Sequence, residues 1–221
     1  MNPYYSDSHV TIYCGDCREI VPSLAPATVV TDPVWPNFHP DLVGSDDPWS
    51  LWSDFLGLLP LSVNLLVVWL GCQSDPRFLA NVPDRLPFLR MQYLRRAVPS
   101  YNGRCLVSGD VAYAFGEWPP SRDGARVIPG ECGRVTSDPS RRQNHPSARN
   151  EDHAKWLLRW WGNGVVLDPF MGVGTTLVAA KYHQGKAIGI EIEERYCEIA
   201  ARRCSQEVLD LTGVAPREEK P

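Results

Sequence analysis

The run VVLDPFMGVGTTLVAA, residues 165–180, decides the fold. Three apolar residues lead into Asp168-Pro169-Phe170, then Gly172-x-Gly174, then a helical stretch starting near Thr175. A buried strand that turns through glycines into a helix brings backbone close to a ligand and aims unpaired N–H groups and the positive end of the helix dipole at it. Such a turn suits a carboxylate or a phosphate. The run lacks the Walker Gly-Lys-Ser/Thr, and its glycines are not spaced G-x-G-x-x-G. The next strand ends in Glu191, about 20 residues on, where an acidic side chain can bind both hydroxyls of a ribose.

Outward from this turn, strands and helices alternate. Apolar runs predict strands over 10–13, 28–31, 65–70, 165–167 and 187–190, with further, antiparallel strands over 91–98 and 111–115. Helical spacing predicts helices over 18–24, 48–59, 151–161, 175–183 and 193–209. That rhythm is the signature of an α/β sheet with helices on both faces. Residues 116–147 are rich in Pro, Gly, Ser and Arg without periodicity and read as a long loop, a length that is uncommon unless functional. A single domain over 1–215 with a polar, flexible tail over 216–221 is expected.

The chain has 221 residues, 43% hydrophobic and 22% charged, enough to bury a full core. No apolar run reaches the length of a membrane span, and the N-terminal MNPYYSDSH lacks the basic start and apolar middle of a signal peptide, so a cytoplasmic location is expected. Seven cysteines in such a compartment read as free thiols, and the single Cys14-x-x-Cys17 has no second pair with which to hold a metal; no metal is expected. The net charge of −4 speaks against a nucleic-acid partner in bulk, yet arginines concentrate between Arg122 and Arg149, and placement matters more than the sum.

DPFMGVGTT followed by GIEIEERYCEIAARR closely resembles the cofactor-binding part of the amino-DNA methyltransferases, which methylate adenine N6 or cytosine N4. VTIYCGDCREIVPSL and TVVTDPVWPN resemble that family's opening strand, its Gly-Asp-Cys segment and its Asp-Pro-Pro-Tyr motif, and NHPSARNEDHAKWLLRWW resembles the stretch ahead of the cofactor glycines. The catalytic motif precedes the cofactor motif, as in the permuted β-type subgroup. The resemblance implies a Rossmann-like S-adenosylmethionine-dependent methyltransferase, a seven-stranded, mostly parallel sheet with an antiparallel strand near one edge. It implies that Phe170, Gly172, Gly174 and Thr175 line the methionine part of the cofactor, with Asp168 a further cofactor-binding residue, and that Glu191 holds the ribose hydroxyls with Ile192 beside the adenine ring. Asp16 and Cys17 would contact the cofactor adenine; Ser147 and Arg149 stand near the methionine carboxylate, where the family usually has Thr and Lys.

Asp32-Pro33-Val34-Trp35 stands where Asp-Pro-Pro-Tyr is expected, and the chemistry explains the residue types. An exocyclic amine is a poor nucleophile because its lone pair is delocalised into the ring. The Asp32 carboxylate and the Pro33 carbonyl can accept its two hydrogens, and Trp35 can stack on an extruded base. Val34 frees a backbone that a second proline would stiffen. In that family an Asp at the first position goes with adenine, whereas members acting on cytosine N4 more often carry Ser, so adenine is expected; cytosine N4, a catalytically weakened cofactor-binding protein, and an RNA or protein-amide substrate are the alternatives. Double-stranded DNA is the expected partner, with Arg122, Arg126, Arg134, Arg141 and Arg142 gripping its backbone and Asn37 and His39 near the base. Tyr101, Asn102, Arg104 and Trp118 could add contacts. No large target-recognition domain fits, so short sequence specificity or help from a second subunit is expected; a homodimer stays open, and nothing indicates a restriction partner.

Overall fold

The computed structural model describes residues 2–36, 42–102, 104–121, 127–135 and 149–206, and of Ser100, Asn102 and Arg134 the backbone alone. The first half runs β1 (Tyr5–Ser6), β2 (Val10–Cys14), α1 (Cys17–Ile20), β3 (Thr28–Thr31), α2 (Pro48–Gly57) and β4 (Leu65–Gly71). The second half runs β5 (Phe88–Asn102), β6 (Cys105–Gly116), β7 (Glu131–Val135), α3 (Glu151–Trp161), β8 (Val165–Asp168), α4 (Thr175–Tyr182), β9 (Lys186–Glu191) and α5 (Glu194–Ser205).

One sheet carries the strands in the order β1-β2-β9-β8-β3-β4-β6-β5-β7. Its inner seven match the expected pattern: all run in one direction except β6, which is antiparallel to both β4 and β5. Two edge strands bring the count among the described residues to nine, where seven were expected. β1 adds two residues antiparallel to β2, and β7 lies parallel to β5. β7 falls inside the stretch 116–147 that reads as loop. Its sequence, ECGRV, has no alternation; backbone pairing with Tyr93 and Leu94 makes it a strand, and its own Cys132 is buried.

The antiparallel pair is also longer than its apolar cores suggest. The last β4–β6 pair is Gly71 with Asp110, but β5–β6 pairing continues to Asn102 with Cys105. The hairpin therefore projects past the end of β4. α5 ends at Ser205, and Gln206, expected to be helical, is its extended C-cap; residues 207–209 and the tail over 216–221 lie outside the described residues.

Side chains alternate across β4 as a strand buried on both faces requires. Leu65, Val67 and Trp69 face α3, α4 and α5 through Leu157, Trp161, Leu177 and Ala200. Leu66, Val68 and Leu70 face α1 and α2 through Ile20, Trp52 and Phe55. Among the described residues no helix is long and apolar enough to cross a membrane. Leu66 is fully buried at the centre of the sheet, so Leu66→Ala should lower unfolding free energy by about 2–5 kcal/mol in urea denaturation, through lost burial plus the cavity left behind.

Candidate functional site

Parallel strands send all their carboxyl ends to one edge, and here that edge carries Cys14, Thr31, Gly71, Asp168 and Glu191. β3 lies beside β8, with Val29 opposite Leu167. The chain leaves β3 toward β4 on one side and leaves β8 toward β9 on the other, so the two following loops diverge and open a crevice between them. A cleft of about 380 Å³ fills that place.

One wall is the glycine turn. Asp168, at the end of β8, is buried and accepts hydrogen bonds from Thr31 Oγ1 at 2.8 Å and the Phe170 N–H at 3.2 Å. Burial pushes its carboxyl up to about 6, and the nearby Asp32 charge adds to the rise. Gly174 caps α4 with φ of 78°, and a Cβ there would stand 2.8 Å from the Ala200 Cβ. Only glycine satisfies both the left-handed backbone and that approach. Arg203 of α5 clasps the same turn from behind, donating to the Val173 carbonyl at 2.6 Å and Thr175 Oγ1 at 3.2 Å while also bonding Glu151.

Glu191 closes the wall at the end of β9. Its oxygens accept from the Gly172 N–H at 3.0 Å and the Glu193 N–H at 2.8 Å. Burial pushes its carboxyl up to about 7, with the backbone donors pulling the other way. Cys14 pairs in register with Glu191, which carries Asp16 and Cys17 to the same edge. Asp16 caps α1 and holds Arg18, with 2.7 Å between Nη2 and Oδ2.

The opposite wall is Asp32-Pro33-Val34-Trp35. Trp35 Nε1 donates to Asp32 Oδ1 at 2.9 Å. The indole fits because residue 71 is glycine: a Cβ there would stand 2.8 Å from the ring. Arg149 donates from Nε to Asp32 Oδ2 at 2.6 Å and from Nη2 to Oδ1 at 2.7 Å. It also reaches Asp110 at 3.2 Å, and its guanidinium lies over the rings of Trp35 and Trp69 at 4.6 and 5.3 Å. Burial pushes the Asp32 carboxyl up, and the Arg149 charge is the main force holding it down. The Asp32 side chain keeps 21% of its surface exposed and lines the cleft.

Asp16, Cys17, Asp32, Pro33, Trp35, Arg149, Asp168, Phe170, Gly172, Thr175, Glu191 and Ile192 thus share one cleft. Gly174 stands behind the wall and shapes the turn rather than lining it. Arg149 was expected near the cofactor's methionine carboxylate; the structure places its guanidinium on Asp32 and Asp110 in the same cleft. Trp118 stands at the other edge of the sheet, after Gly116, which pairs with the first residue of β4, and it stacks on Trp161 at 5.7 Å. Asn37, His39, Arg122, Arg126, Arg141, Arg142 and Ser147 lie outside the described residues, as does the side chain of Arg134. Sequence reasoning missed Asp110, Arg203, Trp69 and the cleft rim at Leu42, Val43 and Asp47. Of these only Arg203 had a local signal, its place in the matched GIEIEERYCEIAARR run.

Residues 43–202 match the N6/N4 DNA methylase family. The chain belongs to that family. The match begins after Trp35, so the variant Asp-Pro-Val-Trp motif stands on its geometry rather than on the family match. A 65-residue segment is 42% identical to the orphan methyltransferase M.BamHII of Bacillus amyloliquefaciens, covering 29% of this chain and 23% of that protein. A 49-residue segment is 45% identical to the type II methyltransferase M.ScaI of Streptomyces caespitosus, covering 22% of this chain and 16% of that one. The chain therefore matches less than a quarter of each curated relative. Among solved structures, the M1.HpyAVI–SAM complex aligns with a TM-score of 0.68 at 19% identity over 89% of this chain and 100% of that chain. The cytosine-N4-specific PvuII DNA methyltransferase aligns at 0.69 and 17% identity over 94% of this chain and 90% of that chain. At these identities the likeness shows the N6/N4 methylase fold.

The residues present fit S-adenosylmethionine. A carboxylate pushed up to about 7 by burial faces the cleft where ribose hydroxyls would donate, and a volume near 380 Å³ suits a nucleoside-sized ligand. Two hydroxyls donating to Glu191 would favour the ionised carboxylate, so cofactor binding there would lower its pKa and release a proton. Affinity for the cofactor should therefore rise with pH through about 7 and level off above it. Calorimetric titrations of the cofactor at several pH values should show this, and Glu191→Gln should flatten it.

Proposed function

We propose that this protein transfers a methyl group from S-adenosylmethionine to the exocyclic amine of a base extruded from double-stranded DNA, adenine N6 in preference to cytosine N4. The observation that carries this reading is the meeting of Asp32 and Glu191 in one cleft, although 159 positions apart in sequence, on loops that diverge from the middle of the sheet. The preference for adenine rests on Asp rather than Ser at the head of the motif.

The cofactor, when bound, supplies an electrophilic methyl on a sulfonium. Glu191 would hold its ribose, Ile192 and Cys17 its adenine, and the Phe170–Thr175 turn its amino-acid end. Asp32 and the Pro33 carbonyl would accept the two amine hydrogens and localise the nitrogen lone pair. Arg149 covers one face of the Trp35 ring at 4.6 Å, so a stacked base uses the other. Positioning supplies most of the acceleration, and the chain forms no covalent bond to the base. The β5–β6 hairpin projects past Gly71 on the cleft's own edge and carries Tyr101, which is 81% exposed, and Arg104. It supports a DNA-gripping surface beside the extruded base; the arginines between residues 122 and 142 are candidates for such contacts from the sequence alone.

Mass spectrometry of nucleosides from DNA incubated with protein and cofactor tests the proposal. N6-methyladenine is expected, N4-methylcytosine would move the assignment to the second base, and DNA of varied sequence left unmodified by folded, cofactor-binding protein would end it. Asp32→Asn should cut kcat by about 10²-fold or more with cofactor affinity kept. Gly71→Ala would push on the Trp35 ring and should cost roughly 10²-fold in methyl transfer, since misplacement of about 1 Å is enough.

A further inference from the structure

A carboxylate offers about four in-plane acceptor sites, two on each oxygen. On Asp32, Nε of Arg149 takes one on Oδ2 at 2.6 Å, and Nη2 of Arg149 and Nε1 of Trp35 take both on Oδ1 at 2.7 and 2.9 Å. Among the described residues, one acceptor site on Oδ2 is left. We propose that Arg149 and Trp35 are positioning residues that assign acceptance of the substrate amine to Oδ2 of Asp32, and that Asp110 and Arg96 hold Arg149 in that pose.

The second half of the network makes the first possible. Asp110 is buried on β6, takes Arg149 at 3.2 Å, and takes Nη2 of Arg96 on both oxygens at 2.8 and 2.9 Å. Asp110 pairs in register with Gly71, the residue that makes room for Trp35. One cross-strand pair therefore supports both donors to Asp32. Two arginines against two aspartates leave the cluster neutral. Buried ion pairs of this kind contribute little net stability, because desolvation offsets attraction; what they provide is a fixed orientation. The planar fork of Arg149 spans both oxygens, which an ammonium cannot do. The indole N–H lies on the side of its ring, whereas a phenol donates only from the far end. Trp35 in the place of Tyr thus adds a bond to the carboxylate and is not a mere exchange of stacking surfaces.

This inference rests on the methyl-transfer reading for its chemistry, so the test has one arm that needs no turnover. In ¹⁵N–¹H spectra the Trp35 indole proton, identified by its loss in Trp35→Phe, should shift upfield in Asp32→Asn and should titrate with Asp32. Among the described residues, the charged groups facing Asp32 are Arg149 before α3, Asp110 on β6 and Asp168 on β8. Arg149→Met removes the cation among them, so the titration should move to higher pH, and Arg149→Lys should move it back. An indole proton indifferent to both Asp32→Asn and Arg149→Met overturns the proposal whether or not DNA is methylated.

The kinetic arm reads kcat and the KM for cofactor. Trp35→Phe, which keeps an aromatic face for the base but loses the indole N–H, should lower kcat about tenfold with KM for cofactor within about twofold. Arg149→Met should lower kcat about 10²-fold and raise the acid limb of its pH profile, with the limb but only part of kcat restored in Arg149→Lys. Wild-type kcat in Trp35→Phe overturns the proposal. So does a raised KM for cofactor with unchanged kcat in Arg149→Met, which would put Arg149 on the cofactor's carboxylate. A wild-type protein inactive on DNA would defeat the methyl-transfer reading while the indole proton still decides the clamp.

Discussion

The parallel pairing of β3 with β8 is the constraint on which the rest depends. Two registered pairs, Thr28 with Val166 and Val29 with Leu167, bring together strands whose onward connections run in opposite directions. Helices that cover the two faces must then part above the β3–β8 seam, and the crevice left there is bounded on each side by whatever loop follows each strand. The order of the two motifs along the chain is immaterial to this geometry. Permuting the connections would change which loop is made first, not which loops adjoin.

The electrostatics of the crevice follow from that meeting. Asp32, Asp168 and Glu191 all end strands at the same edge, and burial raises each of their carboxyls, Asp168 to about 6 and Glu191 to about 7. The protein answers with fixed donors: the Thr31 hydroxyl on Asp168, backbone N–H groups on Glu191, and one buried arginine on Asp32. A cavity so lined favours a ligand that brings positive charge and hydroxyl donors, which is the character of a sulfonium nucleoside.

What the sequence disclosed is what local physics determines. The glycine turn, the strand before it and Glu191 after it are close in sequence, and each is dictated by sterics and periodicity. The Asp-Pro-Val-Trp turn likewise ends a β-branched strand that is buried on both faces. The roles of Asp110, Arg96 and Arg203 were hidden, because each acts across 14 or more positions of chain through a side chain that reads as an ordinary surface charge. Arg149 was legible as a site residue but not as the partner of Asp32, since nothing in its neighbourhood says which of two anions, a ligand's or the protein's own, its guanidinium meets. β7 was hidden for a related reason: an edge strand is defined by the neighbour that pairs with it, and ECGRV has no pattern of its own.

The exchange at position 35 shows how such distant terms combine. An indole is larger than a phenol, and its extra ring must go somewhere. It goes over residue 71, at the end of β4, where a glycine leaves the space. That glycine faces Asp110 across the ladder, and Asp110 holds the arginine whose guanidinium both covers the indole and grips the carboxylate. The larger aromatic, the missing side chain and the buried ion pair are thus mutually dependent. Restoring tyrosine alone would leave a gap beside Gly71 and remove a donor from Asp32, so the familiar residue would fit this site less well than the unfamiliar one.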